Sequence, residues 1–364
     1  MSFKNCYKNK VVLVTGHTGF KGSWLCAWLI KMGAIVVGVS MNIPTKPSHY
    51  YKIKLSEQIK EYKIDILEHK KIKKIIKSVK PSFVFHLAAQ PIVSASYKDP
   101  LNTWHTNLIG TLNILDSIKD LKNKCSAVFI TSDKCYENLE WVWGYKETDR
   151  LGGVDPYSAS KASAEIAIRS FNKSFLSNNK NIRIASARAG NVIGGGDWAN
   201  DRIITDCVKS WSKNKTVKLR NPKSTRPWQH VLEPLSGYLC LGMHLNNNFK
   251  FSGESYNFGP GNDKNYSVLE LVKQMSTYWQ KVKWKIEKNT KVKIKESGLL
   301  SLNCDKVLSH LNWRSALTFD QTVKFTAKWY KKYYEKNNDT LTLTYNQIDQ
   351  YIKIAKKNKL PWSK

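Results

Sequence analysis

Tyr157 and Lys161 stand four residues apart, a spacing that puts two side chains on one face of an α-helix. A helix is expected there because Asp155-Pro156 offers an N-cap acid and a proline at the first helical position. A lysine ammonium beside a phenol favours the phenolate, so Tyr157 is expected to carry a lowered pKa and to act as acid–base toward an alcohol or sugar hydroxyl. Upstream, Thr131-Ser132-Asp133-Lys134 closes an apolar run. Ser132 can bond the reacting hydroxyl, and Asp133 with Lys134 forms a second acid–base pair. Alcohol oxidation needs only the tyrosine, the lysine and a hydroxyl donor, so the second pair predicts chemistry beyond hydride transfer. A solvated turn after a strand is the plainer reading of Asp133 and Lys134.

A second constellation is Gly16-His17-Thr18-Gly19-Phe20-Lys21-Gly22, set between the apolar run Val11 to Thr15 and the helical stretch Ser23 to Met32. Glycines in that place let the backbone turn tightly and approach a pyrophosphate, which the helix N-terminus stabilises. A dinucleotide site is therefore expected at Gly16, Thr18, Gly19, Phe20, Lys21 and Gly22. The acid that usually holds the ribose would fall about 20 residues on, where Asn42 stands instead. An amide bonds a ribose hydroxyl without repelling a 2′-phosphate. Asp65-Ile66, ending another sheet element, is a candidate for the adenine, with a surface acid as the alternative. Leu87, Ala88, Ala89 and Gln90 come at the end of a further apolar run, where the small Ala88 and Ala89 let a cofactor pass close to the backbone.

The elements that position these residues alternate. Val11 to Thr15, Ala34 to Val39, Ser82 to Leu87, Ala127 to Thr131 and Ile182 to Ala187 read as strands. Helices are expected between them, at Glu68 to Val79 with isoleucines on one face, at Leu101 to Leu121 and from Asp155 onward. The fold class is α/β, a Rossmann-type doubly wound parallel sheet. After about Gly190 the pattern loosens into loops rich in Gly, Pro and Trp. A dinucleotide domain over 1–190 and a smaller substrate lobe over 191–364, interleaved around 190–260, are expected. Trp198, Trp228 and the other tryptophans read as core residues.

The 364 residues, 41% hydrophobic, suffice for a large core and exclude disorder. The net charge of +31 favours anionic partners. Its lysines are dispersed along loops and polar helix faces, which fits phosphorylated ligands better than nucleic acid. Seven cysteines without a CxxC pair fit reduced cytoplasmic thiols and no metal site. Met1 to Lys10 is polar and basic, unlike a signal peptide, and no apolar segment reaches bilayer length, so no membrane partner is expected.

Long blocks carry a family resemblance: GHTGFKGSW at 16–24, FHLAAQP at 85–91, TSDKCYEN at 131–138, EWVWGY at 140–145, LGGVDPYSASK at 151–161, ARAGNVIGGGDWA at 187–199 and RPWQHVLEPLSGY at 226–238. The chain resembles the extended short-chain dehydrogenases/reductases, and within them the nucleotide-sugar 4,6-dehydratases. The resemblance implies NAD, with Tyr157 taking the sugar 4-hydroxyl proton, Ser132 orienting that oxygen, and Lys161 tuning the phenol and holding the nicotinamide ribose. It implies that Asp133 protonates the departing C6 hydroxyl and that Lys134, or a water it positions, removes the C5 proton; a charged Lys134 would stabilise the enolate instead. Asn191, Arg202 and Arg226 match nucleotide-sugar positions, Arg226 facing the diphosphate. The implied substrate is CDP-glucose, the product its 4-keto-6-deoxy sugar for cell-surface polysaccharide such as lipopolysaccharide, and the assembly a homodimer or homotetramer. Asn42 and the segment 291–299, which lacks the family's usual histidine, leave another nucleoside or an N-acetylated hexose open. A 4-epimerase is the same-fold alternative, and a basic nucleic-acid-binding protein the alternative of a different class.

Overall fold

A computed structural model describes residues 2–261, 265–279, 282–287, 299–335 and 339–364. Its centre is a sheet of seven parallel strands, β1 (Val11–Thr15), β2 (Ile35–Ser40), β3 (Lys60–Lys63), β4 (Phe83–His86), β5 (Cys125–Ile130), β6 (Ile182–Ala189) and β7 (Ser255–Phe258). Their order is β7-β6-β5-β4-β1-β2-β3. The chain winds outward from β1 to β3, returns to β4 and winds the other way, so a crevice opens at the carboxyl ends of β1 and β4. The Rossmann-type expectation holds.

Successive strand residues face opposite sides, and both sides are apolar. Leu13, Val84, Ala127, Phe129 and Ile184 pack toward α2 (His69–Val79), α3 (Gly110–Lys119) and α4 (Pro156–Phe171). Val12, Val14, Phe85, Val128 and Ala187 pack toward α1 (Phe20–Lys31), α5 (Leu232–Asn247), α6 (Phe319–Tyr334) and α7 (Thr340–Lys357). The later residues thus contribute β7 and much of one helical layer. Phe3 stacks on Trp362 at 5.1 Å, and Trp362 on Tyr351 at 5.6 Å, joining both chain ends to α7. Trp198 and Trp228 are buried, as expected.

Two sequence boundaries need correction. The first helix begins at Phe20, inside the glycine turn, so Phe20, Lys21 and Gly22 are helical. The helix expected over Leu101 to Leu121 is instead Pro100–Trp104, a π-helical turn His105–Ile109 and α3. Asn107 in that turn is held from outside the helix: it donates to Ser160 Oγ at 2.9 Å and accepts from the Gln90 N–H at 2.8 Å.

Gly22 is fixed by space. A Cβ there would lie 2.1 Å from the Gly16 carbonyl oxygen. Gly22→Ala is expected to destabilise the chain by about 1–3 kcal/mol through overpacking of this turn. Urea denaturation measures this, and an unchanged midpoint would show that the turn relaxes freely.

Candidate active site

β5 ends at Ile130, so the next residues emerge at the carboxyl edge of the sheet. Asp133–Cys135 form a 3-10 turn capped by Ser132, whose Oγ accepts the Lys134 N–H at 3.2 Å and donates to Asp133 Oδ1 at 2.9 Å. α4 opens as expected, Asp155 capping the Ser158 N–H at 2.9 Å. Ser132, Asp133, Tyr157 and Lys161 are all buried, and Lys134 is half-buried.

Burial sets the protonation of this group. It raises the Asp133 pKa above the ordinary carboxylate range, against the pull of Lys134, the Ser132 hydroxyl and Lys21. Asp133 Oδ2 has no hydrogen-bond partner among the described residues, and it sits where a Cβ on Gly190 would come within 2.6 Å. The expected lowering of Tyr157 is reversed. Burial pushes its phenol up to about 12, against the Ser132 hydroxyl, and nearby Asp133 adds to the rise. Lys161 is itself brought down to about 8 by burial, despite Glu165.

The glycine turn lies at the same edge. Gly16 has φ +74°, and a Cβ there would lie 2.7 Å from the Ala88 amide nitrogen. Gly19 is the N-cap of α1 and offers no capping side chain, which leaves first-turn N–H groups to an anion. Lys21 is brought down to about 8 by burial and the Arg202 cation, against the field of Asp133. Assigned from sequence to the cofactor, it therefore also feels the Asp133 carboxyl. Thr18 donates to the Asn42 carbonyl at 2.6 Å, while the Asn42 residue itself is exposed. A carboxylate reaches the turn from β3: Glu61 meets His17 Nε2 at 3.0 Å and accepts from Tyr50 at 2.8 Å. Asp65 accepts the N–H of Leu67 at 2.9 Å, and Ile66 is buried against Gly110. Leu87, Ala88, Ala89 and Gln90 follow β4 beside the turn, the Ala88 N–H donating to Thr15 Oγ1 at 3.2 Å.

The substrate candidates come from later loops. The Asn191 carbonyl accepts the Gln229 N–H at 3.3 Å. Arg202 pairs with Asp197 at 2.5 Å, so it would meet an anion as half of an ion pair. Arg226 lies in the short strand Thr225–Arg226, paired with Tyr266–Ser267, and donates to the Thr225 carbonyl at 2.8 Å. Residues 291–298 lie outside the described residues. Sequence reasoning passed over Glu165, Arg188, Tyr136 and Tyr238. Glu165 follows Lys161 by one helical turn, and Arg188 interrupts an apolar strand; both are signals of a buried pair. Tyr238 is buried with an unpartnered hydroxyl, and its pKa is raised by burial, then by Tyr157 and Asp133.

A parallel doubly wound sheet with a glycine turn and a Tyr157–Lys161 helix at its carboxyl edge defines a Rossmann-type short-chain dehydrogenase/reductase. The family model described as GDP-mannose 4,6 dehydratase matches residues 13–326. A CDP-glucose 4,6-dehydratase of Salmonella typhimurium is 42% identical over 96% of this chain and 98% of its own. A dTDP-glucose 4,6-dehydratase of Haemophilus influenzae is 25% identical over 88% of this chain and 97% of its own. Among solved structures, a dTDP-glucose 4,6-dehydratase of Bacillus anthracis in complex with NAD shares the fold, with TM-score 0.72, 21% identity, and coverage of 90% of this chain and 98% of that one. The chain belongs to the GDP-mannose 4,6 dehydratase family and is a nucleotide-sugar 4,6-dehydratase, a hydro-lyase.

Gly190→Ala should displace the Asp133 carboxyl. The expected result is a fall of about ten-fold or more in kcat with little change in KM, read from steady-state kinetics. Parental kcat would show that the carboxyl has room to move.

Proposed function

We propose that this chain is an NAD-dependent dehydratase of CDP-glucose, forming CDP-4-keto-6-deoxyglucose and water. The observation that carries the reading is the second acid–base pair, with Asp133 buried and its Oδ2 unpartnered, next to Tyr157, Ser132 and Lys161. The relative from Salmonella typhimurium, at 42% identity, supports the nucleoside and the sugar. The chain's residues fit a dinucleotide. The crowded glycine turn has no room for side chains at Gly16 and Gly22, and Lys21 and Lys161 add positive charge near an uncapped helix start.

Burial opposes ionisation of Tyr157 and charging of Lys161 alike, so a phenolate and an ammonium formed together cost less than either alone. Tyr157 takes the proton of the C4 hydroxyl while Ser132 holds its oxygen. NAD held at the Gly16–Gly22 turn and by Lys161 would supply the hydride acceptor for C4 and the hydride donor for C6. The resulting 4-ketone acidifies the C5–H. Lys134, or a water it positions, takes the C5 proton, and a charged Lys134 then stabilises the enolate. Asp133, whose pKa burial raises, donates a proton to the C6 hydroxyl, which leaves as water while the C5–C6 bond becomes double. Hydride addition at C6 and protonation at C5 complete the deoxy sugar. A 4-epimerase would need Tyr157 and Lys161 alone and leaves Asp133 without a task.

In the same reading, residues 1–190 hold the dinucleotide and 191–364 the nucleotide sugar, interleaved around 190–260, with Asn191, Arg202 and Arg226 on the sugar nucleotide. Asn42, Asp65 and Ile66 serve the adenosine end. The chain works in the cytoplasm on precursors of surface polysaccharide. Its seven cysteines are unpaired, and no helix among the described residues is long and apolar enough to cross a membrane. It assembles as a homo-oligomer. Leu101, Ile109, Ile166 and Phe175 are exposed apolar residues on adjoining helical segments, which supports a helical interface.

Asp133→Asn is expected to leave C4 oxidation intact and to slow elimination, so the reduced-nicotinamide band accumulates in a single turnover with CDP-glucose. Elimination at the parental rate would remove Asp133 as the acid. Arg226→Ala should raise KM about 10- to 100-fold, the loss of a charge-assisted hydrogen bond of about 1.5–3 kcal/mol. An unchanged KM would place the diphosphate elsewhere.

A further inference from the structure

The turn that carries Ser132, Asp133 and Lys134 is bracketed by two hydroxyls, and both are tied to one buried ion pair. Before the turn, Thr131 Oγ1 donates to Glu165 Oε1 at 2.5 Å. After it, the Tyr136 oxygen accepts from an Arg188 guanidinium nitrogen at 2.8 Å and donates to Asn257 Oδ1 at 2.8 Å. Glu165 and Arg188 pair at 2.7 Å, and both are buried. Ser186 and Ser255 donate to the other Glu165 oxygen at 2.8 and 3.2 Å. The ties therefore come from β5, β6, β7 and α4. Glu165 lies one helical turn after Lys161 and two after Tyr157.

We propose that the Glu165–Arg188 pair is a positioning element that sets the elimination pair, Asp133 and Lys134, relative to the oxidation pair, Tyr157 and Lys161. The inference rests on the dehydratase reading above. Thr131 precedes Ser132 directly, so its tie governs where the oxygen of the C4 hydroxyl is held. Tyr136 closes the turn after Asp133 and Lys134, so its tie governs the acid that expels the C6 hydroxyl. The turn's own closing hydrogen bond, from the Tyr136 N–H to the Asp133 carbonyl, is long at 3.4 Å. The phenolic hydroxyl is the firmer hold. Burial alone pushes Glu165 up, but the Arg188 guanidinium and the Thr131 and Ser186 hydroxyls outweigh it and keep the carboxyl below its ordinary range. The pair thus stays ionised across the working pH range.

Each tie has a variant that deletes one oxygen and keeps the ion pair. Tyr136→Phe preserves the stacking on Tyr145 at 5.2 Å, and Thr131→Val preserves shape. The experiment is stopped-flow reading of the reduced-nicotinamide band with CDP-glucose, quenched samples giving the dehydrated product, and melting temperatures of every variant. Tyr136→Phe is expected to form NADH within about two-fold of the parental rate and to eliminate water about ten-fold or more slower, so NADH accumulates. Thr131→Val is expected to slow NADH formation itself, by about ten-fold. If both phases slow by one common factor in each variant, or neither slows, the pair is structural and the proposal fails. A parental enzyme that makes no dehydrated product overturns the functional reading itself, a distinct outcome. Should one variant not fold, the other still separates the two phases.

Discussion

Ionisable groups buried at the carboxyl edge of the sheet are the constraint on which the chemistry depends. In water a tyrosine, two lysines and an aspartate would ionise independently. Here burial raises Asp133 and Tyr157 and lowers Lys21 and Lys161, so each group resists its charged form. One pKa unit corresponds to about 1.4 kcal/mol, so each charged form costs more here than in water and a partner charge offsets that cost. A proton moving from a sugar hydroxyl to a Tyr157 phenolate removes a buried charge, whereas a proton leaving Asp133 creates a buried carboxylate that Lys134, the Ser132 hydroxyl and Lys21 stabilise. Such a site must be held rigidly, and the Glu165–Arg188 pair is the charge that stays ionised for this purpose. Removing one partner of a buried pair of this kind costs about 3–5 kcal/mol.

Much of this was legible in the sequence because the signals are local. The spacing of Tyr157 and Lys161, the Asp155-Pro156 cap and the glycine turn each depend on neighbours within one helical turn, and the structure keeps them. β3 was legible only as a vague sheet element, since Lys60–Lys63 is a largely exposed edge strand without an apolar run. β7 was missed: four residues in a loop-rich region acquire their role only by pairing with β6. The Tyr157 pKa was read with the wrong sign because spacing reports a neighbour and says nothing of desolvation. The contact of Glu61 with His17 at the glycine turn is not legible in the sequence, because Glu61 arrives from β3 only through the fold.

The fold does not choose between reactions. The choice lies in a few side chains placed on a common frame. Asp133 has an unpartnered oxygen packed beneath Gly190 and a turn tied at both ends, whereas reversible oxidation at C4 asks only for Tyr157, Ser132 and Lys161.

The central claim is that hydride leaves C4, water is lost across C5 and C6, and hydride returns within one bound turnover. The most direct measurement uses CDP-glucose deuterated at C4, turned over in ordinary water, with NMR of the product. The account predicts deuterium at C6 of a 4-keto-6-deoxy sugar. Deuterium retained at C4 of a hexose with inverted 4-hydroxyl, or lost to solvent altogether, would contradict it.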